Sequence, residues 1–146
     1  MNEYEVSRIV LKLANRIISN RNRHSIKLGI TTEQADSLRF FQDNPGSSIK
    51  DLQLYLGVRH QTAQGIASRM LEKGFITLSV SGQDKRCKIV VVTEKGVDML
   101  NELRKNGIHT GQRLLHGMSM DEQAEFARLI LKAYENVDEE ENNERD

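Results

Sequence analysis

Apolar side chains recur at helical spacing along the first part of the chain. Positions three and four apart predict a long amphipathic helix from residue 3 to about 25, whose apolar stripe comprises Val6, Ile9, Val10, Leu13 and Ile17. A second helix is predicted to begin at Thr31, because Thr31 and Gln34 form the pattern of a capping box. It should end at residues 44–46, because Pro45 cannot continue the helical hydrogen bonds.

Two shorter helices follow, separated by a tight turn. The first is predicted over residues 48–56, and Gly57 marks its end. The second is predicted from about Arg59 to Lys73, with Gly74 as its C-terminal stop. Their inward positions should be Ile49, Leu52, Leu56, Ala63, Ile66, Ala67 and Met70. Two short helices joined by a turn that contains glycine are typical of a helix-turn-helix.

The second half of the chain switches to a different periodicity. Two β-rich runs, "FITLSV" and "CKIVVV", are separated by residues 81–84, a pattern that predicts a β-hairpin. Thr93 should cap a long helix reaching toward Leu114, and Ser119 with Glu122 should cap a final one. That last helix carries an apolar stripe of Phe126, Leu129, Ile130, Ala133, Tyr134 and Val137. The predicted fold class is therefore mainly α with a small β-hairpin (α+β).

Composition restricts this chain to a few classes of protein. Its 146 residues fit a single domain, and the single Cys87 excludes an intramolecular disulfide framework. No apolar run reaches the roughly 18 residues that cross a bilayer, and the N-terminus lacks a signal-peptide pattern. We therefore expect a cytoplasmic protein with no membrane partner. The chain contains no nucleophile motif, phosphate-binding glycine loop or metalloprotease motif, so we expect neither an enzyme nor a cofactor.

The neutral formal charge conceals two regions of opposite sign. Residues 59–95 contain seven cations against three anions, whereas seven acids and a single arginine occupy the chain from Glu135 onward. A local cationic region of this kind suits a nucleic-acid partner, although the total charge does not predict one. The acidic segment 138–146 has no apolar face and is predicted to be disordered.

The predicted helix-turn-helix and hairpin together suggest binding to double-stranded DNA. A recognition helix lies in the major groove, where glutamine can pair with adenine and arginine with guanine. On the predicted helix from about Arg59 to Lys73, the polar candidates for DNA contact are Arg59, His60, Gln61, Thr62, Gln64, Gly65, Ser68 and Arg69. Lys85 and Arg86 near the hairpin tip could contact the DNA backbone or enter the minor groove. The alternative interpretation is an ordinary solvated helix face followed by a solvated loop.

Three segments resemble the MarR family of winged helix-turn-helix transcription regulators. They are "ITTEQ", "LGVRHQTAQGIASRMLEKGFI" and above all "DKRCKIVVVTEKG". The resemblance covers roughly residues 3–137 and implies a single MarR-type domain over residues 1–146. Residues 30–96 would form the winged helix-turn-helix, and helices in residues 1–29 and 97–137 would form the dimerisation region of a C2 homodimer. Each subunit would occupy half of a pseudo-palindromic operator, with half-sites about 34 Å apart.

The resemblance also assigns roles to individual residues. Arg86 would be the wing residue at the minor groove, and Asp84 would orient it or a neighbouring cation. Residues 60–65 would contact bases, with Arg59 and Arg69 nearer the backbone. Gly65 departs from the family, which often carries a longer side chain there, so it either permits close approach to DNA or reflects neutral drift.

Control by a small-molecule effector is a further implication of the resemblance. The effector would occupy a cleft lined by the first, second and fifth helices, and the regulator would be a repressor that blocks promoter access. Two weaker hypotheses concern sensing. Cys87 could be a redox sensor, and the alternative is a small residue of the strand. His109 and His116 could share a metal ion, and the alternative is a pair of solvated histidines. The alternative function is a winged-helix module that binds a protein partner and modulates another regulator without specific DNA binding.

Overall fold

A computed structural model describes residues 1–80, 82 and 86–143 of the chain. The described residues form six helices and one antiparallel pair of strands, in the order that the sequence predicts. The helices are α1 (Glu3–Lys27), α2 (Thr32–Asp43), α3 (Ile49–Leu56), α4 (His60–Glu72), α5 (Glu94–Leu114) and α6 (Met120–Asn143). The strands are β1 (Ile76–Val80) and β2 (Lys88–Val92), which lie between α4 and α5. The prediction of a mainly α fold with a small β-hairpin is confirmed.

Capping residues explain where most of these helices begin. The predicted box at Thr31 forms, with the Gln34 amide donating to the threonine hydroxyl at 3.1 Å. The box at Ser119 also forms, since the Glu122 amide lies 3.2 Å from the Ser119 hydroxyl. Further boxes start α1 at Asn2 and α3 at Ser48, and neither had been predicted. Each box satisfies two backbone donors that a helix start would otherwise leave without partners.

The hydrophobic core lies where α2, α3, α4 and the hairpin meet. Leu38, Leu52 and Met70 are fully buried, one from each of the three helices. The other members of the core are Ile30, Ala35, Phe41, Ala67, Phe75, Ile76 and Val90. Met99, Leu100 and Leu103 on the first turns of α5 pack against its edge. The recognition-helix candidate is thus held by a continuous apolar contact on the side opposite its polar face.

The hairpin is attached to the helices at its base. Its register pairs Ile76 with Val92 and Val80 with Lys88, and the Val90 amide donates to the Ser47 carbonyl at 2.8 Å just before α3. Thr93 donates its hydroxyl to the Gly74 carbonyl at 2.6 Å and accepts from the Gly96 amide at 3.1 Å. The end of β2 is therefore fixed both to α3 and to the end of α4.

The last helix extends into the acidic segment, residues 138–146. The backbone of α6 is helical through Asn143, and disorder of the acidic tail stays a prediction. Glutamate has a high helix propensity, and extending an existing helix costs much less than nucleating one, so charge alone does not end it. The remaining residues, 144–146, lie outside the described part of the chain.

The chain divides into two compact units, Met1–Ile108 and the segment from His109 onward. Within the first unit, α1 contacts α2, and the ion pair between Arg21 and Asp36 joins these two helices. The second unit comprises the end of α5 together with α6. In the described part of the chain, we find no helix with the length and apolar character needed to cross a membrane.

Candidate nucleic-acid interface

The turn between α3 and α4 sets the geometry of the helix-turn-helix. Gly57 adopts the left-handed conformation with φ of 63°, which glycine reaches without the cost of a Cβ clash. The Val58 amide donates to the Gln53 carbonyl at 3.3 Å, closing the helix end. The predicted helix-turn-helix is confirmed, with α4 in the position of a recognition helix.

The polar face of α4 is continuous and accessible. All seven of its sequence-predicted contact residues are exposed, namely His60, Gln61, Thr62, Gln64, Gly65, Ser68 and Arg69. Ala63, Ala67 and Met70 on the same helix are completely buried. One face of α4 is therefore packed into the core, and the opposite face presents its polar side chains to solvent. A helix that enters the groove of DNA needs such an arrangement.

The start of α4 differs from the capped helix starts described above. Arg59 is its N-cap, is exposed, and makes no side-chain hydrogen bond to the helix backbone. An N-terminus without a side-chain cap keeps backbone N–H groups and the positive end of the helix dipole accessible to an anion. This arrangement suits a phosphate next to Arg59.

Two glutamines flank His60 across the helix-turn-helix. The Nδ1 atom of His60 lies 3.1 Å from Oε1 of Gln53 on α3, and its Nε2 atom lies 3.2 Å from Nε2 of Gln64. Gln53 was missed by the sequence analysis, because only the turn angle brings it to the recognition helix seven residues later. No local pattern could have revealed this contact.

The C-terminal end of α4 is held by contacts distant in sequence. Gly74 has φ of 76°, and the Phe75 amide donates to the Met70 carbonyl at 3.0 Å, which completes a Schellman cap. The Lys73 ammonium donates to the Gly29 carbonyl at 2.7 Å and to Oε1 of the buried Gln34 at 2.8 Å. These bonds connect the C-terminal end of α4 to Gly29, between α1 and α2, and to Gln34 in the first turn of α2.

The wing is only partly within the described residues. Arg86 lies in a turn at the start of the β2 arm with its side chain exposed, and Lys88 is exposed as well. Asp84 and Lys85 lie outside the described residues. The base of the hairpin is rigidly fixed by Thr93 and Ser47, so the placement of Arg86 beyond the end of the β1–β2 ladder follows from that ladder's register.

Gly65 occupies the middle of the exposed face of α4. A Cβ built at this position would meet no atom within 4 Å. Packing within the chain therefore does not require glycine here, so both interpretations from the sequence, close approach to DNA and neutral drift, stay open.

A groove of about 620 Å³ lies between α2 and α5 in the first unit. Val97, Leu100 and Leu103 give it an apolar floor, and Arg39 and Arg104 are the cations on its walls. Gln42, Asn101 and the anionic Asp43 also line the groove, so polar and apolar residues line it in about equal number.

The weaker candidates for sensing lie elsewhere. Cys87 is exposed beside Arg86, before the first residue of β2. His109 and His116 line a shallow depression together with Gln112 and Arg113. Among the described residues no group of three or more His, Cys, Asp or Glu could hold a metal ion, and the Arg113 guanidinium beside the two histidines disfavours a cation.

Known proteins with similar sequences or structures include regulators of transcription. A sequence model of the MarR family matches residues 28–86. The transcriptional repressor MprA of Escherichia coli is 24% identical over 141 residues, covering 93% of this chain and 80% of MprA. The transcriptional regulator SlyA superposes with a TM-score of 0.69 at 26% identity, covering 92% of this chain and 95% of SlyA. The DNA complex of MepR from Staphylococcus aureus gives a TM-score of 0.72 at 19% identity, covering 90% and 98%.

Fold and site thus define a winged helix-turn-helix protein with an exposed recognition helix. The family match covers the segments "ITTEQ" and "LGVRHQTAQGIASRMLEKGFI" in full and ends at Arg86, within "DKRCKIVVVTEKG". Residues 28–86 match the MarR family model, and the chain is similar over most of its length to the transcriptional repressor MprA and the transcriptional regulator SlyA.

Proposed function

We propose that this protein is a homodimeric repressor that binds a pseudo-palindromic operator in double-stranded DNA and is released by a small-molecule effector. The observation that carries the proposal is the continuous polar face of α4 opposite a fully buried one. In this proposal Gln61, Thr62 and Gln64 contact base edges, and Arg59 and Arg69 contact phosphates. Lys85 and Arg86 contact the DNA backbone or the minor groove next to these bases, and Asp84 orients Arg86 or a neighbouring cation. The protein acts in the cytoplasm.

Dimerisation is supported by apolar surface that a single chain leaves exposed. Val6, Ile9 and Val10 on α1 are each exposed by about half. On α6, Leu129, Ile130 and Tyr134 are between 47% and 69% exposed. Contiguous stripes of this kind usually mark interaction sites, and a second copy of the chain would cover both sets in a self-complementary interface.

Effector control is supported by the groove between α2 and α5. A ligand there would contact both the helix that packs against α4 and the helix that leaves the wing. If the ligand binds one arrangement of these helices more tightly than another, it shifts the separation of the two recognition helices. Two cations, Arg39 and Arg104, and one anion, Asp43, line the groove, and this net positive charge would favour an anionic group on the ligand.

Arg86→Ala should weaken binding to every duplex by on the order of 10- to 100-fold, because it removes a charge-assisted contact to DNA. The slope of log affinity against log salt should become shallower by about one unit. Selection from a randomised duplex pool, followed by titrations at several salt concentrations, measures both quantities. The wild type should enrich an inverted repeat with half-sites about one helical turn apart.

The matched control is Lys132→Ala on α6, which removes a cation outside the helix-turn-helix and wing. It should leave both the selected sequence and the salt slope unchanged. If the wild type enriches no sequence and the Arg86→Ala variant binds DNA with the same affinity as the wild type, the protein serves a protein partner instead of an operator.

Gly65→Ala separates the two interpretations of the glycine. Alanine should stabilise the free protein by about 1 kcal/mol, because glycine is unfavourable inside a helix and the added methyl meets open space. If the DNA backbone approaches α4 closely at this point, operator affinity should nevertheless fall about tenfold or more. Urea unfolding and operator titration of the same sample give the two quantities. Unchanged affinity would mean that the glycine is neutral.

A further inference from the structure

The three side chains Gln53, His60 and Gln64 form a hydrogen-bonded series across both helices of the helix-turn-helix. Gln53 belongs to α3, His60 is the first residue of α4, and Gln64 lies one turn further along α4. The contacts are 3.1 Å from Gln53 Oε1 to His60 Nδ1 and 3.2 Å from His60 Nε2 to Gln64 Nε2. Both distances are within hydrogen-bonding range.

The chemistry of the atoms gives this series a single direction. The Gln53 Oε1 atom only accepts, so the Nδ1 atom of His60 carries the hydrogen and donates it. In a neutral imidazole the Nε2 atom then has a lone pair, which accepts from the amide nitrogen of Gln64. Hydrogen bonds therefore run from Gln64 through His60 to Gln53.

This direction determines what Gln64 can offer to DNA. One N–H of its amide is used by His60, which leaves the other N–H and the carbonyl oxygen for a base. Adenine presents an acceptor and a donor side by side in the major groove, and an amide with one N–H and one oxygen matches that pair. Rotating the amide by 180° would exchange its donor and acceptor and would lose the match.

Gln53 is itself well positioned to control the series. Its side chain is half-buried, and its backbone carbonyl accepts from the Val58 amide in the turn that separates α3 from α4. The turn fixes the backbone of Gln53, and partial burial together with the contact to His60 restricts its side chain, which lowers the entropy lost on binding DNA. The support for Gln64 therefore originates outside the recognition helix.

We propose that Gln53 is a specificity-positioning residue, which acts through the Nδ1–H tautomer of His60 to fix the amide of Gln64 for one base pair. The inference rests on the proposed operator binding. Gln53 needs no contact with the base that it helps to select.

The test uses the full-length protein and two substitutions at Gln53. Gln53→Met keeps the length of the side chain but offers only a weakly accepting thioether to His60, so discrimination at the base pair met by Gln64 should fall roughly fivefold. Affinity for a random duplex should stay within about twofold, since no phosphate contact is lost. Gln53→Glu retains an acceptor and should restore discrimination when measured at a pH high enough to keep the His60 imidazole neutral beside the carboxylate, with weaker overall binding from the added negative charge.

Two further measurements distinguish positioning from general disturbance. With Gln64→Ala already present, Gln53→Met should have no additional effect on base preference, because the two residues act in series. In the free protein, ¹⁵N NMR of the His60 ring should show the Nδ1–H tautomer for the wild type and a loss of that preference for Gln53→Met.

Several results would overturn the proposal. Unchanged base preference in Gln53→Met is one, and additive effects with Gln64→Ala are another. A His60 ring with the hydrogen on Nε2 in the wild type would refute the direction of the series, and this NMR result does not depend on DNA. By contrast, a wild type that selects no sequence but retains the Nδ1–H tautomer would refute operator binding and, with it, the role of Gln53 in base selection, while leaving the hydrogen-bonded series intact.

Discussion

Replacing Gly96 with alanine should destabilise the fold by about 3 kcal/mol, at the upper end of the usual cost of overpacking. Gly96 is buried in the first turn of α5, and a Cβ there would lie 2.3 Å from the Phe75 carbonyl oxygen and 2.8 Å from Cγ1 of Val92. The oxygen belongs to backbone that also accepts from the Thr93 amide at 3.0 Å. Relief would therefore require moving the helix start away from the hairpin. Urea unfolding at fixed protein concentration measures the loss.

Gly107→Ala is the matched control for this substitution. Gly107 lies in the same helix, but a Cβ there would meet no atom within 4 Å. Alanine should therefore stabilise α5 by about 1 kcal/mol through helix propensity alone. If Gly96→Ala leaves the free energy of unfolding unchanged within about 0.5 kcal/mol, then α5 can shift at no cost, and the tight contact with Phe75 does not hold the helix.

The sequence predicted the elements of this fold well, because their signals are local. Thr31 with Gln34 and Ser119 with Glu122 are each three residues apart, so a capping box can be recognised without knowing any tertiary contact. The same holds for the polar face of α4, because its buried residues recur every three or four positions and this spacing is visible in the sequence.

Contacts between distant residues could not be predicted in the same way. The requirement for glycine at position 96 arises from Phe75, which is twenty-one residues earlier and meets α5 only after the hairpin has folded back. Likewise, the Lys73 ammonium reaches the Gly29 carbonyl across forty-four residues. Both contacts depend on crossing angles between elements, and a periodic pattern contains no information about such angles.

Ile130→Asp on α6 should abolish the dimer at micromolar concentration and lower operator affinity by on the order of 100-fold or more, because one chain would then hold only one half-site. In a C2 dimer each substitution occurs twice at the interface, so two carboxylates would have to be buried. Ile130 is 47% exposed in the single chain, so its own unit should lose little from the change. Sedimentation velocity gives the mass of the species, and operator titration gives the affinity.

Arg128→Asp provides the control on the same helix. Arg128 lies on the opposite side of α6 from the apolar stripe and pairs only with Glu125 in the described part of the chain, at 2.7 Å. Exposed ion pairs of this kind contribute about 1 kcal/mol or less, so the control should remain a dimer and bind the operator as the wild type does. A monomeric Ile130→Asp protein that retains its helical circular dichroism would place the interface on the α6 stripe. A dimer that persists in Ile130→Asp with full operator affinity would exclude this stripe, and the exposed face of α1 would then have to provide the interface.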